Sequence, residues 1–207
     1  MDGAKGRRLP RGDKIVVAAL GDSITAGNPG WDPDPERRKL EDPGNDETSQ
    51  YLYWAQARDP RLDCRNLGVG GERTDQIKAR IPAALDGADV LVIQGGINDI
   101  VQGRAVELAA NDLRAMVKEG KAAGLQVLIA EVLPWNKGWP DADVQIRALN
   151  EAIRLIGDQE GVPVLPFYET LEDPERPGRM RPEWTADENH PSIAGHRRLG
   201  ELAFSVV

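Results

Sequence analysis

At 207 residues the chain is long enough for one α/β domain with a full core, and 40% hydrophobic against 29% charged residues suits a soluble globular protein. Its formal charge of −8, from 26 Lys and Arg against 34 Asp and Glu, argues against nucleic acid or an anionic membrane surface as a partner. The single cysteine, Cys64, allows no internal disulfide, and no apolar run approaches the ~20 residues that a membrane-spanning helix needs.

Met1–Asp13 is polar and basic, without an apolar signal-peptide core. It is expected to be flexible. The cytoplasm is the expected location, and secretion after removal of a leader stays open. The first structural element is Ile15–Leu20, a β-branched apolar run closed by Gly21 and read as a buried strand. Gly21 and Asp22 then force a sharp turn that presents Ser23 at the strand's carboxyl end, where open α/β sheets bind ligands. A serine there can be a nucleophile, given a base and backbone donors. The same three residues also read as a plain turn with a helix cap.

Residues 28–49 carry four prolines and many acidic residues, with Trp31 and Leu40 almost alone as apolar side chains. A structureless connection of that length points to an inserted functional loop, a lid, or disorder. Apolar spacing resumes in a helix at Tyr51, Leu52, Trp54, Ala55 and Ala57, ended by Pro60. Leu62–Leu67 is the second strand, with Cys64 as inert packing within it. Gly68-Val69-Gly70-Gly71 follows, then a helix capped by Thr74 or Asp75 and running towards Leu85, disturbed by Pro82.

The third strand is Ala88–Gln94, ending in Gly95-Gly96-Ile97-Asn98-Asp99. Ala105–Ala123 has helical spacing and a glycine, Gly124, at its end. Leu125–Leu133 is the fourth strand, closed by Pro134-Trp135, and a loop with Trp139 and Pro140 leads to a helical stripe of Val144, Ile146, Leu149, Ile153 and Leu155. Val162–Phe167 is the fifth strand. A proline-rich stretch, Asp173–Pro182, leads to Trp184, then to Asp187-Glu188-Asn189-His190, and Ile193, Leu199, Leu202 and Ala203 mark a closing helix.

Strands alternating with helices imply βαβ units, hence a parallel sheet between two helical layers. Five strands in flavodoxin-like order 2-1-3-4-5 are expected, as a single domain over residues 1–207. The polar loops all follow strands, so they meet along one edge of such a sheet. There they supply a hydroxyl, a histidine, a carboxylate and N–H donors, the inventory of serine hydrolysis. Only two histidines exist, His190 and His196.

Four motifs in this order resemble the GDSL family of esterases and lipases in its SGNH subgroup: Gly21-Asp22-Ser23, Gly71 within 66–74, Asn98 within 96–99, and Asp187-x-x-His190. The resemblance implies that Ser23 is the nucleophile, His190 its base and Asp187 the carboxylate that orients the base. It implies an oxyanion hole from the Ser23 and Gly71 N–H groups and the Asn98 amide, with Gly70 as the rival to Gly71. Asp141 and Glu188 are rival carboxylates, His196 is a packing or surface histidine, and the role of Thr25 stays open. The pattern is not G-x-S-x-G, so the α/β-hydrolase elbow is not expected.

The implied activity is hydrolysis of short to medium acyl esters through an acyl-enzyme, without cofactor or metal, on a small-molecule partner. Trp31, Trp135 and Trp139 are candidate pocket residues. Rival readings are a thioesterase or lysophospholipase, since Val162–Phe167 and Trp184 resemble the bacterial thioesterase branch, a carbohydrate O-acetyl esterase, and, from another class, a non-catalytic binding module.

Overall fold

The computed structural model describes residues 14–40 and 45–206; the expectation for Met1–Asp13 lies outside the described residues. In chain order the elements are β1 Ile15–Gly21, α1 Ser23–Ala26, α2 Pro35–Leu40, α3 Tyr51–Arg58, β2 Leu62–Gly68, α4 Thr74–Ala79, α5 Ile81–Leu85 and β3 Val90–Ile93. There follow α6 Ile97–Val101, α7 Val106–Ala122, β4 Gln126–Ala130, α8 Ala142–Glu160, β5 Val164–Leu165, α9 Phe167–Leu171, β6 Glu172–Asp173, β7 Arg176–Met180 and α10 Ile193–Arg198. A π-helical turn, Leu199–Ala203, continues α10.

The five parallel strands run β2-β1-β3-β4-β5, the flavodoxin-like order expected from sequence. β1 pairs with β2 from Ile15↔Leu62 to Gly21↔Gly68, and with β3 from Val17↔Val90 to Leu20↔Ile93. The central strands are covered on both faces, which is why they read as continuous apolar runs. Ala18, Leu20, Leu91, Ile93, Val127 and Ile129 point to one layer, against Ile77, Leu113, Met116, Leu149 and Ile153 of α4, α7 and α8. Val17, Ala19, Val90, Val92, Leu128 and Ala130 point to the other, against Tyr51 and Leu52 of α3, Phe167 and Leu171 of α9, and Phe204. Each fully buried Leu, Ile or Phe among these contributes roughly 1.5–3 kcal/mol.

Several boundaries differ from the sequence expectation. The helix expected from residue 74 to 85 is two, because Pro82 lacks the N–H an unbroken helix needs and sits instead in the first turn of α5. β3, β4 and β5 are shorter than their apolar runs; of the excess residues Ala88, Gln94, Leu125, Val132 and Leu133 are buried in the connections and Phe167 opens α9. Residues 173–182 form a hairpin rather than an open stretch: β6 and β7 pair antiparallel, and the Asn136 side chain takes the Met180 N–H at 2.7 Å while donating to its carbonyl at 2.9 Å. The inserted segment is not structureless where it is described. It holds α2, a bridge between Trp31 and Asn45, and a 3-10 turn at Glu47–Ser49. Burial pushes the Cys64 thiol up to about 12, which suits inert packing. Among the described residues no helix is long and apolar enough to cross a membrane.

Candidate active site

The site lies at the carboxyl ends of the parallel strands and begins with the turn after β1. A Cβ on Gly21 would come 2.2 Å from Thr25 Oγ1 and 2.7 Å from Gln94 Oε1, so only glycine lets the chain turn there. Asp22 caps α1, its Oδ1 accepting the Ile24 N–H at 2.9 Å, and Ser23 becomes the first residue of the helix. The Ser23 N–H, like other first-turn N–H groups, has no intrahelical acceptor. Thr25 acquires a role here. Its hydroxyl donates to Gln94 Oε1 at 2.8 Å, and the Asp22 N–H reaches the same oxygen at 3.3 Å, which ties the turn to the end of β3.

The segment before α10 brings the histidine to this turn. Asp187 Oδ1 accepts the backbone N–H groups of Asn189 and His190 at 2.9 and 2.8 Å, and the Ala186 N–H reaches the His190 carbonyl at 2.9 Å. That closed turn holds Glu188 at φ +70°, the one non-glycine residue with positive φ among those described. Asp187 Oδ2 lies 2.9 Å from His190 Nδ1, and His190 Nε2 lies 3.1 Å from Ser23 Oγ. Burial raises the Asp187 carboxyl, but the His190 ring and the two backbone N–H groups outweigh it and hold it below the ordinary carboxylate range. The rivals stand apart from the ring: Asp141 precedes α8, and Glu188 makes no bond to His190.

Two loops face Ser23 from the β2 and β3 ends. Asn98 stands on α6 and its Nδ2 donates to the Glu72 carbonyl at 3.0 Å, which leaves one amide hydrogen for a ligand. Gln102 Nε2 donates to the Gly71 carbonyl at 3.1 Å, and Asp99 accepts the Thr74 N–H and hydroxyl at 2.9 and 2.8 Å. The Gly71 loop and the Asn98 helix are therefore tied to each other by four hydrogen bonds. Gly71 has φ +82° with open space where a Cβ would stand, while a Cβ on Gly70 would meet Asn28 Oδ1 at 2.9 Å.

A cavity of about 190 Å³ opens at Ser23, lined by Ile24, Ile97, Asn98, Val101, Trp135, Asn189 and His190. Of the three candidate tryptophans it brings Trp135 to the site. Trp139 packs edge-on behind Trp135 with ring centroids 5.2 Å apart, and Trp31 lies under the Arg38 guanidinium away from the cavity. Leu133 is in the core rather than at the cavity. Sequence reasoning missed Gln94 and Asn189. Gln94 was legible as a polar residue ending a buried strand. Asn189, which accepts from Trp135 Nε1 at 2.8 Å, carried no signal beyond its neighbours.

Asp22 is fully buried and its Oδ2 has no hydrogen-bond partner among the described residues. Desolvation raises its carboxyl to about 6, against the Ile24 N–H, the Gln94 side chain and the His190 charge, which lower it. Among the described residues no group of three or more His, Cys, Asp or Glu could hold a metal ion.

A family model described as the GDSL-like Lipase/Acylhydrolase family matches residues 19–198. Esterase TesA of Pseudomonas aeruginosa is 29% identical over 139 residues, which cover 66% of this chain and 65% of that protein's length. A member of the lipolytic protein G-D-S-L family from Veillonella parvula superposes with a TM-score of 0.71 at 21% identity, covering 90% of this chain and 94% of that one. A GDSL-like lipase from Bacteroides thetaiotaomicron superposes at 0.70 with 20% identity, covering 96% and 89%. These two likenesses concern the fold.

Proposed function

The chain belongs to the GDSL-like lipase/acylhydrolase family of ester-bond hydrolases, and from that premise we propose that it is a serine esterase for short to medium acyl esters, working through an acyl-enzyme on Ser23. The observation that carries the reading is the unbroken line from Asp187 Oδ2 through His190 to Ser23 Oγ, at 2.9 and 3.1 Å. His190 Nε2 takes the Ser23 proton as Oγ attacks the ester carbonyl, and Asp187 fixes the ring with Nδ1 protonated. The tetrahedral oxyanion is held by the Ser23 and Gly71 N–H groups and the free Asn98 amide hydrogen. His190 then returns the proton to the departing alcohol, and a water activated by the same nitrogen releases the acid.

Asn98→Ala is expected to lower kcat by roughly 10²–10³, the worth of one preorganised oxyanion donor, with KM little changed. Steady-state kinetics on a p-nitrophenyl ester read the split. A raised KM at constant kcat would instead make Asn98 a ground-state binding residue.

The acyl preference follows from the cavity. About 190 Å³ walled by Trp135 and Val101 is less than the ~300–1,000 Å³ typical of drug-sized ligand sites. Each methylene it does bury adds about 0.8 kcal/mol, so kcat/KM rises with chain length until the wall is met. The test is a p-nitrophenyl series from acetate to palmitate, beside an acyl-CoA and an acetylated sugar. Acetyl to hexanoyl esters are expected to lead, with palmitate poor. A preference for dodecanoyl or longer would overturn the pocket reading and send the chain towards the apolar groove between Pro29, Gly30, Pro191 and Ile193.

A further inference from the structure

A second cleft of about 600 Å³ adjoins the cavity at Ser23 and carries two arginines, Arg176 and Arg179, with Asn136, Thr185, Ala186 and Glu188. The two spaces have no lining residue in common but draw on the same two segments of chain. Trp135 and Asn189 line the cavity at Ser23, and their chain neighbours Asn136 and Glu188 line the cleft. Trp135 Nε1 donates to Asn189 Oδ1 at 2.8 Å, which ties these two segments to each other.

The charges in the cleft are unequal. Arg176 is bound to Asp173, which also faces Arg181. Arg179 has no carboxylate within ion-pair distance among the described residues; its Nη1 donates to the backbone carbonyls of Trp135, at 2.8 Å, and Asn136. Neutral carbonyls orient the guanidinium without cancelling its charge, and its remaining N–H groups form a fork suited to an anion. The side chain is half-buried, so solvent screens it less than an exposed arginine. Glu188 supplies one opposing charge, held on the turn whose carbonyl accepts the Lys137 N–H at 3.2 Å.

The chemistry decides which half of a substrate lies there. The departing oxygen must receive its proton from His190 Nε2, so the alcohol half lies against the 185–191 turn, and Thr185, Ala186 and Glu188 of that turn line the cleft. We propose that this cleft is a subsite for an anionic group, a carboxylate or a phosphate monoester, on the alcohol side of the ester, with Arg179 as its principal contact. The proposal rests on the esterase reading above.

Two acetyl esters that differ in charge and by one methyl group test it: 4-acetoxybenzoate and its methyl ester. The methyl ester has the better leaving group, so a preference for the anion must come from the protein. A charge-assisted hydrogen bond in a half-buried site corresponds to roughly a 10-fold or larger preference in kcat/KM, expressed in KM and weakened by salt. In Arg179→Gln the ratio of the two esters is expected to fall by about that factor, and any general damage to the Trp135 loop cancels in the ratio. A parallel pair, a 1-acylglycerol 3-phosphate and the neutral 1-acylglycerol, separates phosphate from carboxylate as the group recognised. Preference in either pair that Arg179→Gln removes supports the subsite; a ratio unmoved by the substitution in both pairs overturns it. Hydrolysis of the neutral esters reports on the esterase reading by itself. If none is turned over, tryptophan fluorescence of Ser23→Ala titrated with 4-acetoxybenzoate reads the same contact, and equal affinity with and without Arg179→Gln overturns the proposal.

Discussion

Ser23→Ala is expected to lose ester hydrolysis by roughly 10⁴-fold or more while keeping its fold, the largest effect of any single change in this chain. In the proposed mechanism the acyl bond forms on this hydroxyl, and alanine offers no nucleophile in its place. Structurally it counts for little. Ser23 opens the four-residue helix α1, where alanine is the better helix former, and its Oγ bonds to a ring nitrogen at the mouth of a cavity rather than inside the core. Losing one such hydrogen bond costs about 1 kcal/mol. Hydrolysis of p-nitrophenyl butyrate beside a thermal melt separates the two effects. A fluorophosphonate should label the parent protein at Ser23 and leave the variant unlabelled. Activity of about a hundredth of the parent or more in a folded variant would remove Ser23 from the mechanism.

The turn that carries Ser23 was legible because several levels of the sequence agree on it. A strand buried on both faces must be continuously apolar, which Ile15–Leu20 is, and the residue after it must turn, which Gly21 and Asp22 enforce. The long amphipathic helices α7 and α8 declared themselves by period in the same way. One-turn elements did not. α1, α6 and α9 have four or five residues, too few for a hydrophobic period, and exist because tertiary contacts hold them. The β6–β7 hairpin was invisible for a related reason. Arg176-Pro-Gly-Arg-Met180 has no strand pattern, and its ladder depends on Asn136, some forty residues away, clasping Met180 from both sides. At the site, Ser23, Asp187 and His190 were named through the family resemblance of their motifs and lie in one hydrogen-bonded line, whereas the tryptophans could not be sorted. Trp135 lines the cavity with its indole bonded to Asn189, and Trp31 lies under Arg38, neither of which any local pattern encodes.

His190→Ala is expected to be nearly as inactive as Ser23→Ala, and replacement of His196 by leucine is expected to leave kcat close to the parent. The rings differ in what surrounds them. His190 reaches Ser23 and Asp187, while His196 is 0% exposed and neither of its ring nitrogens has a hydrogen-bond partner among the described residues. Desolvation, with a lesser contribution from the charge of His190, pushes His196 down to about 3. A folded value below the unfolded one means that the native state binds this proton less well. Stability from this source is therefore present above pH ~6.5 and is lost as pH falls towards 3, by on the order of 4–5 kcal/mol in full. Asp22 acts in the opposite sense: its carboxyl, raised to about 6, favours the protonated native state, so it adds on the order of 3 kcal/mol as pH falls from 6 to below its unfolded value. Between pH 6 and pH 4 the two offset each other in the parent. His196→Leu removes only the destabilising member, so this variant should gain resistance to denaturant on acidification while the parent changes little. Urea midpoints at pH 7.5, 6 and 5 measure that difference, and kcat at pH 7.5 measures the catalytic one. An inactive but stable His196→Leu protein, or an active His190→Ala protein, would reverse the assignment of the base.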